Sequence, residues 1–143
     1  MRIRVRFHPS VAAPADLEPF PALRLARLVE SEWTGVEGEI HCVLTDDQDL
    51  EDLNRRFRGI HAPTDVLAFP YDPAAAGGSL GDVYVSLPRA EAQAAERNEP
   101  VTREIVRLFV HGALHLVGCD HDTPETERAM LVTQEEWVAR LVR

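Results

Sequence analysis

One run near the C-terminal end constrains this chain more than any other: His111-Gly112-Ala113-Leu114-His115-Leu116-Val117-Gly118-Cys119-Asp120-His121. Upstream of it, Ile105, Val106, Phe109, Val110 and Leu114 recur at helical spacing, and Pro100 and Thr102 open the helix they define. His111 and His115 therefore sit one turn apart on one helix face. Gly118 can end that helix in a left-handed cap. A chain that reverses there can carry His121 back over the same point. Three imidazoles then converge, each able to reach one ion at about 2.0–2.1 Å. Three protein ligands leave a fourth tetrahedral position open for water, the pattern of a catalytic zinc site and not of a closed structural one. The expectation is one transition-metal ion, zinc, used for hydrolysis, although three imidazoles also suit nickel, copper and iron.

The spacing His-x3-His-x2-Gly-x2-His is shared with a large group of zinc proteases, which place a glutamate directly after the first histidine as general base. Here that place holds Gly112. A glycine accepts no proton, so peptide hydrolysis lacks its base unless Asp120 or Asp122 substitutes. Hydrolysis as such survives the objection, because a metal lowers the pKa of a bound water to about 7. No general acid is assigned; Asp65, Asp120 and Asp122 are candidates. Asp65 also suits a role capping backbone amides, and Asp122 a turn.

The rest of the chain reads as alternating short elements. Ile3, Val5 and Phe7 alternate with Arg2, Arg4 and Arg6, the period of a half-buried strand whose arginines form a solvated face. Leu25, Leu28 and Val29 mark a helix from about Leu17 to Trp33, with Pro19 and Pro21 in or before its first turn. Gly35 and Gly38 end it, and Ile40 to Leu44 is a buried strand. Thr45 and Gln48 have capping-box spacing ahead of Asp46, Asp47 and Asp49, acids suited to a positive helix end. That helix runs to about Phe57, with Gly59 as its stop. Asp65–Phe69 is a short strand closed by Pro70, Gly77-Gly78 a turn, and Asp82–Leu87 another strand. Helices follow from Pro88 to Asn98, from Pro100 through Leu114, and from Thr123-Pro124-Glu125 to near the end. The sum is one α/β (α+β) domain spanning 1–143, with about four strands and five helices. Two strands follow each other directly, so the sheet is expected to be mixed and not fully parallel.

At 143 residues the chain needs no division into domains. Its formal net charge of −9 argues against a broad nucleic-acid footprint but leaves room for a local basic cleft. All 15 basic residues are arginine, a chain-wide bias that reads as compositional. Arg55, Arg56 and Arg58 form one local cluster. Two cysteines, Cys42 and Cys119, make no disulfide framework; one buried and one loop thiol, both reduced, are expected. No run reaches the ~18 apolar residues of a membrane span, and the N-terminal segment lacks a secretory pattern, so the cytoplasm is the expected location.

Four segments occur together and in order: LNRRFRG at 53–59, TDVLAFP at 64–70, GDVYVS at 81–86 and HGALHLVGCDH at 111–121. On these segments, over nearly its whole length, the chain resembles the YbeY family, bacterial endoribonucleases of ribosomal RNA maturation. The resemblance implies a compact α/β fold with a zincin-like metal site and a cut specific to single-stranded RNA. It implies ribosomal RNA and small-subunit components as partners, in maturation and quality control of the ribosome, with neither DNA nor membrane involved. It places the metal ligands at His111, His115 and His121, and catalytic roles at His115 and Arg58. On position alone Arg58 is an ordinary arginine at a helix end; the resemblance singles it out. Cys119 stands where the family commonly has tyrosine, which argues against an obligatory ligand there. The alternatives are a ribosome-assembly or RNA-binding factor whose zinc is structural, and a zinc peptidase, which Gly112 disfavours.

Overall fold

The structure is a computed structural model that describes residues 1–17, 19–72, 78–119 and 122–142. Four strands, β1 (Arg2–Phe7), β2 (Glu39–Thr45), β3 (Val66–Pro70) and β4 (Ser79–Ser86), form one sheet in the order β1-β2-β4-β3. β1 and β2 run parallel, as do β2 and β4, whereas β3 lies antiparallel on β4 at the sheet edge. The succession of two strands thus produces the expected mixed sheet. Five α-helices complete the described fold: α1 (Ala22–Glu32), α2 (Asp47–Arg58), α3 (Leu87–Arg97), α4 (Val101–Leu116) and α5 (Pro124–Leu141).

Strand alternation sorts the two sheet faces. Ile3, Ile40, Cys42, Leu44, Val83 and Val85 face the main core, where α1 covers β1 and α4 lies across β3 and β4. The opposite face carries Arg2, Arg4 and Arg6, all exposed as expected, together with His41. There α2 covers β3 and β4, burying Leu50, Val43 and Leu67 apart from the main core. α4 is the central helix. Ile105, Val106, Phe109, Val110, Ala113 and Leu114 are each wholly buried, as a helix wrapped by sheet and neighbouring helices requires. Trp33 and Trp137 meet edge to face at 6.0 Å, joining the end of α1 to α5.

Several boundaries differ from those expected. α1 begins at Ala22 and not near Leu17; only a single 3-10 turn, Ala15–Leu17, precedes it. Pro19 and Pro21 cannot donate amide protons, and the first helical bond runs from the Leu25 amide to the Pro21 carbonyl. The cap of α2 is Asp46, whose carboxylate accepts from the Asp49 amide at 2.8 Å. Thr45 cannot take that role because its backbone is the last rung of β2, paired with Ser86; its hydroxyl donates instead to Asp49. β4 starts at Ser79, three residues before the expected Asp82, because pairing with Glu39 extends the ladder through a glycine. Leu87 belongs to α3, which Ser86 caps. Gly77, half of the expected turn, lies outside the described residues. Cys42 is a buried free thiol and Cys119 is half-buried; burial, with Asp82 nearby, pushes the Cys42 thiol far up.

Candidate metal centre and its cleft

α4 delivers His111 and His115, the two described histidines of the expected triad. Its packing against the sheet depends on Gly112, where a Cβ would come within 2.3 Å of Val83 Cγ1. With the glycine buried against β4, the flanking His111 and His115 project into a cleft of about 500 Å³ between α4 and the edge strand. Their rings meet edge to face at 4.7 Å, and the two Nε2 atoms are 3.2 Å apart. Two ligands of one tetrahedral ion with bonds of about 2.0–2.1 Å sit about 3.3–3.4 Å apart. The pair therefore matches two corners of such a site, and nitrogen donors of this kind suit a first-row transition metal. Among the described residues no group of three or more His, Cys, Asp or Glu side chains could hold an ion. His121, the expected third ligand, lies outside the described residues, as does Asp120.

The end of α4 is built to reverse the chain. The Gly118 amide bonds the His115 carbonyl at 3.2 Å and the Cys119 amide bonds the Leu114 carbonyl at 3.0 Å, a Schellman motif with Gly118 at φ 105°. Thr123 then caps α5, its hydroxyl accepting from the Thr126 amide at 3.1 Å. The connection is thus held at both ends. Cys119 packs against the core beside Trp33 and Met130, and does not line the cleft that the two histidines share.

Arg58 enters the same cleft from α2. Its Nη2 donates to the Ala68 carbonyl on β3 at 3.1 Å, and its guanidinium lies 5.7 Å from the centre of the Phe69 ring. Gly59, in the left-handed region, turns the chain after it. The buried Asn54 donates to the Ala62 carbonyl at 2.9 Å and holds the loop that follows. Asp65 lines the cleft too; its carboxylate accepts from Gln93 at 3.0 Å and, weakly, from Thr64. Through Gln93 this carboxylate is anchored to α3. Asp122 is exposed, beyond the end of α4.

Sequence reasoning missed one residue of this site. Gln134 of α5 is 6% exposed and its Oε1 lies 2.8 Å from His111 Nδ1. Nothing in its own neighbourhood marks it, since the partner is 23 residues away. The signal exists only once α5 packs on α4.

The family model for endoribonuclease YbeY matches residues 22–142 of this chain. The chain belongs to that family. An endoribonuclease YbeY of Pelotomaculum thermopropionicum is 42% identical over 120 residues, covering 80% of this chain and 79% of the relative. That of Geobacillus thermodenitrificans is 41% identical over 128 residues, covering 82% and 81%. The solution structure of TM1509 from Thermotoga maritima superposes with a TM-score of 0.67 at 27% identity, over 97% of this chain and 88% of that one. As a YbeY family member the chain has the α/β fold, a four-stranded mixed sheet with five described helices, that this structural likeness supports. None of its described helices is long and apolar enough to cross a membrane.

Proposed function

We propose that this chain is a metal-dependent endoribonuclease that cuts single-stranded RNA, with zinc as its ion and ribosomal RNA as its substrate. The observation that carries the reading is the imidazole pair, Nε2 to Nε2 at 3.2 Å, in a cleft shared with Arg58. His111 and His115, with His121, would hold the ion. When bound, it supplies Lewis acidity at the scissile phosphate and acidifies water near neutral pH. Arg58 offers an exposed guanidinium suited to two phosphate oxygens. Its bond to Ala68 and its place over Phe69 orient it in advance, which lowers the entropy lost on binding. Phe57, 64% exposed and flanked by Arg56, provides a platform on which an unstacked base can lie. Such a platform supports a single-stranded substrate, because bases in a duplex present no open face. On a chain of net charge −9, phosphate contacts carried by these arginines make RNA binding salt-sensitive.

Kinship with the YbeY family supports extending the reading to ribosomal RNA, small-subunit components and a cytoplasmic setting. Gly112 weighs against a peptidase, since the position has no room for a glutamate. The test is cleavage of an end-labelled single-stranded RNA beside its duplex. His115→Ala and a chelator are each expected to abolish cutting, and Arg58→Ala to slow it about 100-fold or more with the fold intact. Cutting that survives both the substitution and the chelator would belong to a contaminant and overturn the reading. A protein that never cuts, yet loses much of its thermal stability with its metal, would be the assembly factor with structural zinc.

A further inference from the structure

We propose that Gln134 is a positioning residue of the metal site: its amide, oriented by Glu135, holds His111 in the tautomer that leaves Nε2 bare toward the cleft. The chain of contacts runs inward from a charge. Arg107, 4% exposed, donates from Nε and Nη2 to both oxygens of Glu135 at 3.0 and 3.1 Å, and is itself held by Glu99 at 2.8 Å and Glu104 at 2.5 Å. Glu135 is therefore a fixed acceptor. An ionised carboxylate only accepts, so the group that Gln134 turns toward it, at 3.0 Å, must be the NH2. The amide oxygen then faces the other way, 2.8 Å from His111 Nδ1. An amide oxygen also only accepts, so Nδ1 must carry a proton. A neutral imidazole has one N–H, and Nε2 is left with its lone pair, directed at the point it shares with His115.

This order is not what an unassisted histidine adopts. A free imidazole side chain favours the proton on Nε2, the atom required here as donor to an ion. Gln134 removes that competition before any ion arrives. Partners of this kind change metal affinity by about 10–100-fold when lost. Two helices and one loop contribute to the relay: α4 supplies Arg107 and His111, α5 supplies Gln134 and Glu135, and Glu99 lies in the loop between α3 and α4.

The inference rests on the proposed metal site, but its first readout does not. In metal-free protein, long-range 1H–15N correlation of the imidazoles reports which nitrogen of His111 is protonated; zinc affinity is then read by competition with a chelating dye. Wild type is expected to show Nδ1–H. Gln134→Leu, of similar volume, is expected to move the proton to Nε2 and weaken zinc binding by 10-fold or more at unchanged helix content. Glu135→Gln alters a half-exposed side chain and should act through Gln134. An amide at 135 turns its oxygen to Arg107 and its NH2 toward Gln134, which flips and sets its own NH2 against Nδ1. Nδ1–H retained in both variants, with zinc affinity within twofold of wild type, overturns the proposal. If Gln134→Leu does not hold its fold, Glu135→Gln decides alone. A wild type that shows Nδ1–H yet binds no zinc overturns the metal reading, not the tautomer assignment.

Discussion

Gly112 decides both packing and chemistry at a single position. A Cβ there would meet Val83 Cγ1 at 2.3 Å and Cγ2 at 3.0 Å, and the neighbour is a β-branched side chain at the centre of the sheet. It cannot retreat, so α4 must. Gly112→Ala is accordingly expected to destabilise the protein by about 1–3 kcal/mol in urea unfolding, the usual cost of overpacking, despite alanine's better helix propensity. Because His111 and His115 flank the glycine, the same shift should widen the imidazole pair and weaken zinc binding. A variant as stable as wild type would show that the contact relaxes freely. The absence of a general base after the first histidine is thus enforced by the sheet and is not a lesion in a protease motif.

At the scale of elements, the site depends on how α4 ends and α5 begins. The Schellman turn at Gly118 and the capping box of Thr123 with Thr126 anchor the connecting segment from both sides. Thr123→Ala removes the side-chain acceptor for the Thr126 amide and is expected to cost about 1 kcal/mol in thermal or urea unfolding. The proposed ligand His121 precedes this cap by two residues in sequence, so zinc affinity should fall with it; an affinity unchanged at lower stability would confine the cap to folding. α2 matters in the same way from the opposite side of the sheet. Its left-handed stop at Gly59 places Arg58 at the last helical position, from which it reaches over the edge strand to Ala68.

At the scale of the whole molecule, an acid-sensitive network ties the helices together. The hydrogen bond from Arg107 holds Glu99 below the ordinary glutamate range. Burial pushes Glu135 up, but its bonds from Arg107 and Gln134 outweigh that and leave it lowered. Bonds from Ser10 and the Asp49 amide lower Asp46. All three shifts have one sign. The stability they contribute is fully present above the unfolded carboxylate values of about 3.9–4.3 and is lost as pH falls through the lower folded values. The urea midpoint is expected to hold between about pH 5 and 7 with respect to these groups and to drop below about pH 4. Glu135→Gln removes one of the titrating groups, so its midpoint should fall less steeply there; an unchanged slope would show that the network does not drive acid unfolding.

The local sequence by itself determined the strands, the helices, the caps at Gly59, Gly118 and Thr123, and the pairing of His111 with His115 on one helix face. These depend on periodicity and on neighbours within about four residues, where backbone geometry acts directly. The same local logic failed at Thr45, because strand pairing with Ser86 claimed a residue whose spacing alone suited a cap. Only the tertiary structure decided what surrounds the histidines. It set Gln134 against His111 across 23 residues, brought Gln93 to Asp65 across 28 and Arg58 to Ala68 over the sheet edge, and closed Gly112 to any side chain. Each of these is a contact between elements, and a contact between elements exists only after burial of their apolar faces has chosen which sides meet.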